Sequence, residues 1–239
     1  MDTAPETTFV LVPGAWLGAW SWHPVARVLR EHGHRALTVT VPGLSYGSSP
    51  VGLRLRDAVD HVVGEVVDRG LKNVVLVGHS WGGYPVTGAA HRLADRVRHV
   101  AYYNAVVPER GVSMAEENEA YGTLIRESIA ATSDGTVPLT LDAVRYGLMQ
   151  GEPEEMHELV FGLTLPQPGR YMTDALEVSP VTEAGLDASY VLGTDDTSLA
   201  RPGTEFAARL GVEPHMVPGG HMALLNHPED VATALLKLL

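Results

Sequence analysis

The sequence predicts an α/β fold, with a mostly parallel sheet that carries helices on both of its faces. Short apolar runs, typical of buried strands, alternate along the chain with amphipathic segments of helical period. The alternation stops between residues 108 and 185 and then resumes. One turn between a predicted strand and a predicted helix reads Gly-His-Ser-Trp-Gly, at residues 78–82. These three observations indicate a single domain with a helical insertion before its last two strands.

The predicted strands are near-continuous apolar runs, as expected where both faces of a strand are covered. The first two end at Pro-Gly pairs, which interrupt regular structure. Four strands precede the insertion and two follow it. They span residues 9–12, 36–41, 73–77, 97–104, 188–194 and 212–217.

Helices are predicted in the segments between these strands. The clearest covers residues 55–67, where apolar side chains recur at i, i+3 and i+4 until Gly70 ends the pattern. Gly33 ends the first helix in the same way. The other predicted helices span residues 22–31, 84–93 and 202–210, and a last one opens at Pro228.

The insertion at residues 108–185 contains turn signals and several short amphipathic helical patterns but no convincing strand. A stretch of this length is too long for a loop in a compact domain, so it should carry structure of its own. We therefore predict a helical cap at residues 108–185, inserted into a core formed by residues 1–107 and 186–239.

Composition limits the partners of the chain. With 239 residues, 45% of them hydrophobic, it can bury one substantial core. The net charge of −12 argues against binding to nucleic acid or to an anionic membrane. The absence of cysteine excludes disulfides, thiolate metal sites and a cysteine nucleophile. We expect a small-molecule substrate, and neither a metal nor another cofactor.

The first eight residues are polar and acidic and lack the apolar region of a signal peptide. No apolar run reaches the length of a membrane span. We therefore expect a cytoplasmic enzyme that makes no membrane contact and that could form a homodimer.

Residues 78–82 form a Gly-x-Ser-x-Gly motif between an apolar run and a helical pattern. This order of strand, sharp turn and helix is that of the nucleophile elbow of α/β-hydrolases. Gly78 and Gly82 leave room for the strand and the helix to approach closely around Ser80. The motif therefore predicts Ser80 as a catalytic nucleophile.

A serine hydroxyl needs a base within hydrogen-bonding distance and an acid that orients the base. In this fold the chain order is Ser, then Asp or Glu, then His. The Pro-Gly-Gly-His loop after the last strand predicts His221 as the base. Asp195 and Asp196 both follow the preceding strand. The G-x-x-D spacing from Gly193 favours Asp196 as the acid, with Asp195 as the alternative.

An oxyanion hole needs two backbone N–H groups aimed at developing negative charge. One is expected from Trp81, the residue that follows the nucleophile. The other is expected from the loop after the first strand, at residues 13–16.

Residues 9–22 read Phe-Val-Leu-Val-Pro-Gly-Ala-Trp-Leu-Gly-Ala-Trp-Ser-Trp. They resemble the opening of the plant methylesterase and hydroxynitrile lyase group of α/β-hydrolases. The similarity spans nearly the whole chain and is weakest in the cap, where Leu-Pro-Gln-Pro at residues 165–168 is similar to bacterial relatives. The resemblance implies a triad of Ser80, Asp196 and His221, with oxyanion N–H groups from Ala15 and Trp81.

Two positions depart from the lyases of this group. Gly14 stands where the lyases carry a threonine, and Met222 stands where they carry a lysine. Because those side chains would bind the cyanohydrin hydroxyl and stabilise cyanide, lyase activity is not expected. An apolar Met222 suits a bulkier, less polar substrate. The predicted pocket residues are Gly14, Trp16, Tyr121, Tyr146, Phe161 and Met222.

The sequence thus predicts a serine hydrolase of the carboxylesterase type, acting on a small to medium, largely apolar ester through an acyl-enzyme. One alternative is a non-hydrolytic biosynthetic tailoring enzyme with the same site, such as a cyclase, lactonase or lyase. Another is a hydrolase-like binding protein that retains the pocket.

Overall fold

The computed structural model of the protein describes residues 7–238. The acidic segment at residues 1–6 and residue 239 lie outside the described residues. Eight strands occur in the described part of the chain. They are β1 (Thr8–Val12), β2 (Arg35–Thr38), β3 (Val74–Ser80), β4 (Val97–Ala105), β5 (Thr136–Val137), β6 (Gln167–Pro168), β7 (Ala188–Gly193) and β8 (His215–Val217).

Helices connect the strands and cover the sheet. They are α1 (His23–Glu31), α2 (Leu55–Val67), α3 (Gly83–Arg92), α4 (Glu119–Ala131), α5 (Leu141–Ala143), α6 (Glu154–Leu163), α7 (Gly169–Thr173), α8 (Gly203–Arg209), α9 (Ala223–Asn226) and α10 (Pro228–Leu236). Two short 3-10 helices, Ala19–Trp22 and Met114–Glu116, and a π-helix, Val144–Leu148, complete the list. Within residues 7–238 no helix has the length and apolar character that crossing a membrane requires.

Six of the strands form one parallel sheet in the order β2-β1-β3-β4-β7-β8. Because all six are parallel, the loops that follow them leave from the same edge of the sheet. In open α/β sheets, ligands bind at this carboxyl edge. The predicted α/β fold with a mostly parallel sheet is confirmed.

Both faces of the sheet are buried, which explains the near-continuous apolar runs. Val10 and Leu76 lie in one hydrophobic cluster, with residues of α2, α3 and α8. Leu11 and Val77, their neighbours along the strands, lie in a second cluster with residues of α1, α9 and α10. Alternate strand residues thus serve opposite faces, and each face has its own layer of helices.

Two strands are clearly shorter than the apolar runs predict. The second strand ends at Thr38 instead of residue 41. The last strand begins only at His215, because Pro214, which has no N–H to donate to the ladder, interrupts the run from residue 212. The first helix is also preceded by a 3-10 turn.

The segment between β4 and β7 is mainly helical and contains α4 to α7. The expectation that it has no strand is wrong, because β5 and β6 pair there as a small two-stranded antiparallel sheet. Strands of two residues are too short to show an alternating pattern, so no sequence period could indicate them. The division into a cap at residues 108–185 and a core at 1–107 and 186–239 stays a prediction.

A buried ion pair joins this helical segment to the sheet layer. Glu117, whose side chain is fully buried, accepts two hydrogen bonds from Arg209 of α8, at 2.7 and 2.8 Å. Arg201 lies 3.3 Å from the same carboxylate. The Arg209 guanidinium also donates to the carbonyl of Val107, at 2.7 Å. Breaking one member of such a pair leaves a charge without compensation in a low-dielectric surrounding.

We expect Arg209→Met to lower the free energy of unfolding by about 3 kcal/mol, because Glu117 would keep only its contact with Arg201. Arg27→Met is the matched control, since Arg27 and Glu31 are both more than half exposed and their pair contributes less than about 1 kcal/mol. Urea unfolding followed by circular dichroism measures the free energy of unfolding of both variants. Equal losses would show that the buried pair contributes no more than a surface pair.

Candidate active site

Ser80 is the last residue of β3 and stands at the turn into α3. Its φ of 54° lies in the left-handed region, which costs a residue with a Cβ about 1–3 kcal/mol. The turn depends on glycine neighbours. A Cβ on Gly78 would lie 2.7 Å from the Gly82 carbonyl oxygen, and one on Gly82 would lie 2.6 Å from that of Pro13. Ser80 therefore occupies a strained position, and it remains partly exposed.

His221 and Asp196 form a buried hydrogen-bonded pair. The imidazole Nδ1–H donates to the Asp196 Oδ2 at 3.0 Å, and the two side chains are 2% and 0% exposed. Burial acts to raise the pKa of Asp196, but the charge and hydrogen bond of His221 and the Ser198 N–H outweigh it, so the pKa is lowered. The carboxylate stays ionised and orients the ring.

Within the described residues, the carboxylate of the alternative acid, Asp195, makes no hydrogen bond to His221. Asp195 is exposed, and its backbone N–H donates to the Gly219 carbonyl oxygen at 3.0 Å. Of the two neighbouring aspartates, Asp196 is the one whose carboxylate the fold brings to His221.

His79 supports His221 from the strand that carries Ser80. Its ring is fully buried, stacks on Tyr103 and lies 4.7 Å from the His221 ring, centroid to centroid. The Nε2–H donates to the His221 carbonyl oxygen at 3.1 Å. Burial, and then repulsion from His221, lower the pKa of His79 well below its ordinary value. A neutral His79 is therefore a packing and hydrogen-bonding residue.

Asn104, which sequence reasoning did not single out for a role, connects the turn after β7, which carries Asp196, to the loop that carries His221. It is fully buried near the end of β4, with a φ of 42°. Its Oδ1 accepts from the Gly193 N–H at 2.7 Å. Its Nδ2 donates to the carbonyl oxygens of Gly220 and His221, at 3.1 and 3.3 Å. Asparagine tolerates the left-handed region better than most residues, and this is the one local feature of the sequence that could have indicated a special role for Asn104.

Two backbone N–H groups near Ser80 are free to act as donors. Within residues 7–238, neither Ala15 nor Trp81 donates its N–H to another group, although both residues are buried. Buried, unpaired N–H groups are rare in proteins. The Trp16 N–H, in contrast, is occupied, because it donates to Gln167 Oε1 at 2.9 Å. Ala15 thus keeps a free donor in this loop, as does Gly14 within the described residues, whereas Trp16 does not.

Three of the predicted pocket residues lie near the carboxyl edge or pack beside it. Gly14 lies directly over the elbow, since a Cβ there would approach the Ser80 Cβ to 2.8 Å. Trp16 and Tyr121 are half-buried and pack against the hydrophobic cluster that contains Ala15. Burial raises the pKa of Tyr121 to about 12, so its hydroxyl stays protonated at neutral pH.

The other three predicted pocket residues differ from one another in burial. Met222 is buried, and together with His221 it lines a cavity of about 210 Å³. Tyr146, in the π-helix, is 75% exposed, and Phe161, in α6, is 38% exposed. Their exposure gives no support for a pocket role, and their assignment stays a prediction.

The arrangement contains the parts that nucleophilic acyl transfer requires: a strained hydroxyl, an imidazole oriented by a carboxylate, and two free N–H donors. All of them lie at the carboxyl edge of the sheet. Within residues 7–238 no cluster of three or more His, Asp or Glu side chains could hold a metal ion.

Known proteins similar to this chain carry related names. The model of the Alpha/beta hydrolase family matches residues 9–234. A carbendazim-hydrolysing esterase of a Nocardioides species is 33% identical, over 96% of this chain and 98% of the relative. An alpha-hydroxynitrile lyase of Arabidopsis thaliana is 30% identical, over 95% of each chain.

The fold has a close counterpart among solved structures. An extracellular alpha/beta-hydrolase from a Paenibacillus species superposes with a TM-score of 0.89, covering 97% of this chain and 98% of the other at 23% identity. At that identity the likeness concerns the fold. The family match over nearly the whole chain and the named relatives together confirm the predicted resemblance: the protein belongs to the alpha/beta hydrolase family and is an esterase-type enzyme.

Proposed function

We propose that the protein is a serine hydrolase that cleaves a small to medium, largely apolar carboxylic ester. The observation that carries the proposal is the buried hydrogen bond between His221 and Asp196, at the sheet edge where Ser80 is held in a left-handed turn. An imidazole oriented in this way can accept the proton of a serine hydroxyl.

In the proposed reaction, His221 Nε2 takes the proton of the Ser80 hydroxyl while Oγ attacks the ester carbonyl. Negative charge moves to the carbonyl oxygen, where the N–H groups of Ala15 and Trp81 stabilise it. The tetrahedral species collapses to an acyl-enzyme, and the alcohol leaves with the proton from His221. Water, deprotonated by the same imidazole, then releases the acid and restores the serine.

Two residues favour hydrolysis over the lyase reaction for which one relative is named. A cyanide anion leaving in an apolar pocket needs a positive charge nearby, since an uncompensated buried charge is costly. Met222 provides an apolar thioether at the position next to the base. Gly14 has no side chain to hold a substrate hydroxyl, and Ser80 leaves little room for one.

The residues around the site guide the proposal about the substrate. Met222, Trp16 and Tyr121 favour an apolar substrate part, and we take the ester to be a small molecule. A cytoplasmic location and a homodimer stay predictions.

Ser80→Ala should lower kcat by about 10⁵–10⁶ with the fold intact, because the nucleophile is lost. Hydrolysis of p-nitrophenyl butyrate measures the rate, and the wild-type enzyme should show a burst of p-nitrophenol. An organophosphonate should attach to Ser80, as read by peptide mass spectrometry. Ser48→Ala, at an exposed turn, is the matched control. Full activity of Ser80→Ala would overturn the proposed function.

Asp196→Asn should lower kcat by about 10³–10⁴, because the carboxylate fixes the tautomer of His221 and stabilises the imidazolium. Asp195→Asn, its immediate neighbour, should cost about tenfold or less, since that side chain is exposed and caps the following turn at most. Steady-state kinetics on the same ester compare the two. A reversal of the two losses would assign the acid to Asp195.

Asn104→Ala should lower kcat/KM by about 10- to 100-fold, since both loops that hold the acid and the base lose a common anchor. Asn104→Asp should be no better, because a carboxylate oxygen would face the carbonyls of Gly220 and His221. The pH profile of kcat/KM should move in both variants. A change of stability with an unmoved pH profile would make Asn104 merely structural.

A further inference from the structure

We propose that the two-stranded sheet of β5 and β6 is part of the oxyanion site and that Gln167 is its positioning residue. The inference rests on the proposed function, because it concerns how the Ala15 N–H is aimed at the substrate. It follows from the backbone of Trp16, the residue next to Ala15, and from the contacts that hold this backbone in place.

Residues 14–17 form a tight turn, closed by the Leu17 N–H and the Gly14 carbonyl oxygen at 3.4 Å. Trp16 is the third residue of this turn and has a φ of 65°. Turns that need a positive φ at this position usually have glycine or asparagine there. A bulky tryptophan is strained in this conformation and keeps it only where surrounding contacts hold it.

The contacts that hold Trp16 come from the helical segment between β4 and β7. Its N–H donates to Gln167 Oε1 at 2.9 Å, and its carbonyl oxygen accepts from the Leu165 N–H at 3.1 Å. Its indole Nε1–H donates to the Val137 carbonyl oxygen at 2.7 Å. The two peptide groups that flank Trp16 are thus fixed by Gln167 of β6 and by Leu165, and the indole is fixed by Val137 of β5.

Of these contacts, the one from Gln167 bears most directly on the oxyanion donor. Gln167 orients the peptide group between Ala15 and Trp16, and with the turn closed this also determines the direction of the Ala15 N–H. Gln167 is fully buried, and within residues 7–238 its Nε2 has no hydrogen-bond partner. Because burying an unpaired amide donor is unfavourable, the contribution of this side chain lies in the bond its oxygen accepts.

Gln167 pairs with Val137 between β6 and β5, so the side-chain contact and the indole contact come from one structural unit. Val137 and Ala15 also belong to the same hydrophobic cluster. A displacement of the β5–β6 pair would therefore move Trp16 and turn the Ala15 N–H away from the carbonyl oxygen of the substrate.

The test is Gln167→Met, which keeps the length of the side chain and removes the acceptor. We expect kcat to fall by about 10- to 100-fold while KM changes less than about threefold, because the Ala15 N–H acts mainly in the transition state. A trifluoromethyl ketone, which forms an anionic tetrahedral adduct with the serine, reports the oxyanion site directly. Its inhibition constant should rise by the factor by which kcat/KM falls.

Thr136→Val is the matched control on the same two-stranded sheet. Thr136 is buried and hydrogen-bonds to Asp134, with no bond to Trp16. The substitution should lower the stability of the β5–β6 pair and leave the inhibition constant of the ketone unchanged. If both variants weaken binding of the ketone equally, general loosening of the β5–β6 pair is the cause and Gln167 has no special role.

Trp16→Phe tests the same inference independently, and it remains informative if Gln167→Met does not fold. It keeps an aromatic ring and removes the bond to Val137, so kcat and ketone affinity should again fall together. The losses of the double variant should be less than additive, since both bonds hold one turn. Unchanged ketone affinity in folded Gln167→Met or Trp16→Phe overturns the inference. Activity in Ser80→Ala would instead overturn the proposed function itself.

Discussion

The left-handed backbone of Ser80 is the constraint on which the rest of the site depends. A hydroxyl can stand clear of a buried parallel strand only if the chain turns sharply at that residue, and the turn requires close contact between β3 and α3. Gly78 and Gly82 make that contact possible, because a Cβ at either position would collide with backbone oxygens. The strain is offset by packing, since β3 is buried on both faces through Val74, Val75, Leu76 and Val77.

The carbonyl oxygen of His221 links the loop that carries His221 to the neighbouring strands β3 and β4. It accepts hydrogen bonds from His79 of β3 and from Asn104 of β4. Asn104 also binds the Gly193 N–H at the end of β7, just before the acid turn. The relative positions of the proposed base and acid are therefore fixed through backbone groups as well as by the direct bond between their side chains. Such a network explains how a loop rich in glycine can hold the His221 ring in place.

Local sequence patterns predicted those parts of the site whose geometry depends on residues close together in the chain. The Gly-x-Ser-x-Gly turn, the Gly-Gly-His loop and the spacing that favoured Asp196 each lie within a few residues. Asn104 and Gln167 could not be predicted in this way, because their partners are 117 and 151 positions distant in the chain. Helical period indicated short helices between residues 108 and 185 but did not determine which of their side chains face solvent, as those of Tyr146 and Phe161 do.

Three residues with side chains and a positive φ lie along one edge of the sheet, and each is held differently. Trp16, Ser80 and Asn104 follow or end the adjacent strands β1, β3 and β4. Ser80 is held by its glycine neighbours, and Asn104 by its own amide. Trp16 is held by β5 and β6, which lie outside the main sheet. Backbone strain of this kind clusters at functional sites because the surrounding structure must maintain it. The segment between β4 and β7 therefore supplies the hydrogen bonds that hold both peptide groups of Trp16 in this strained form.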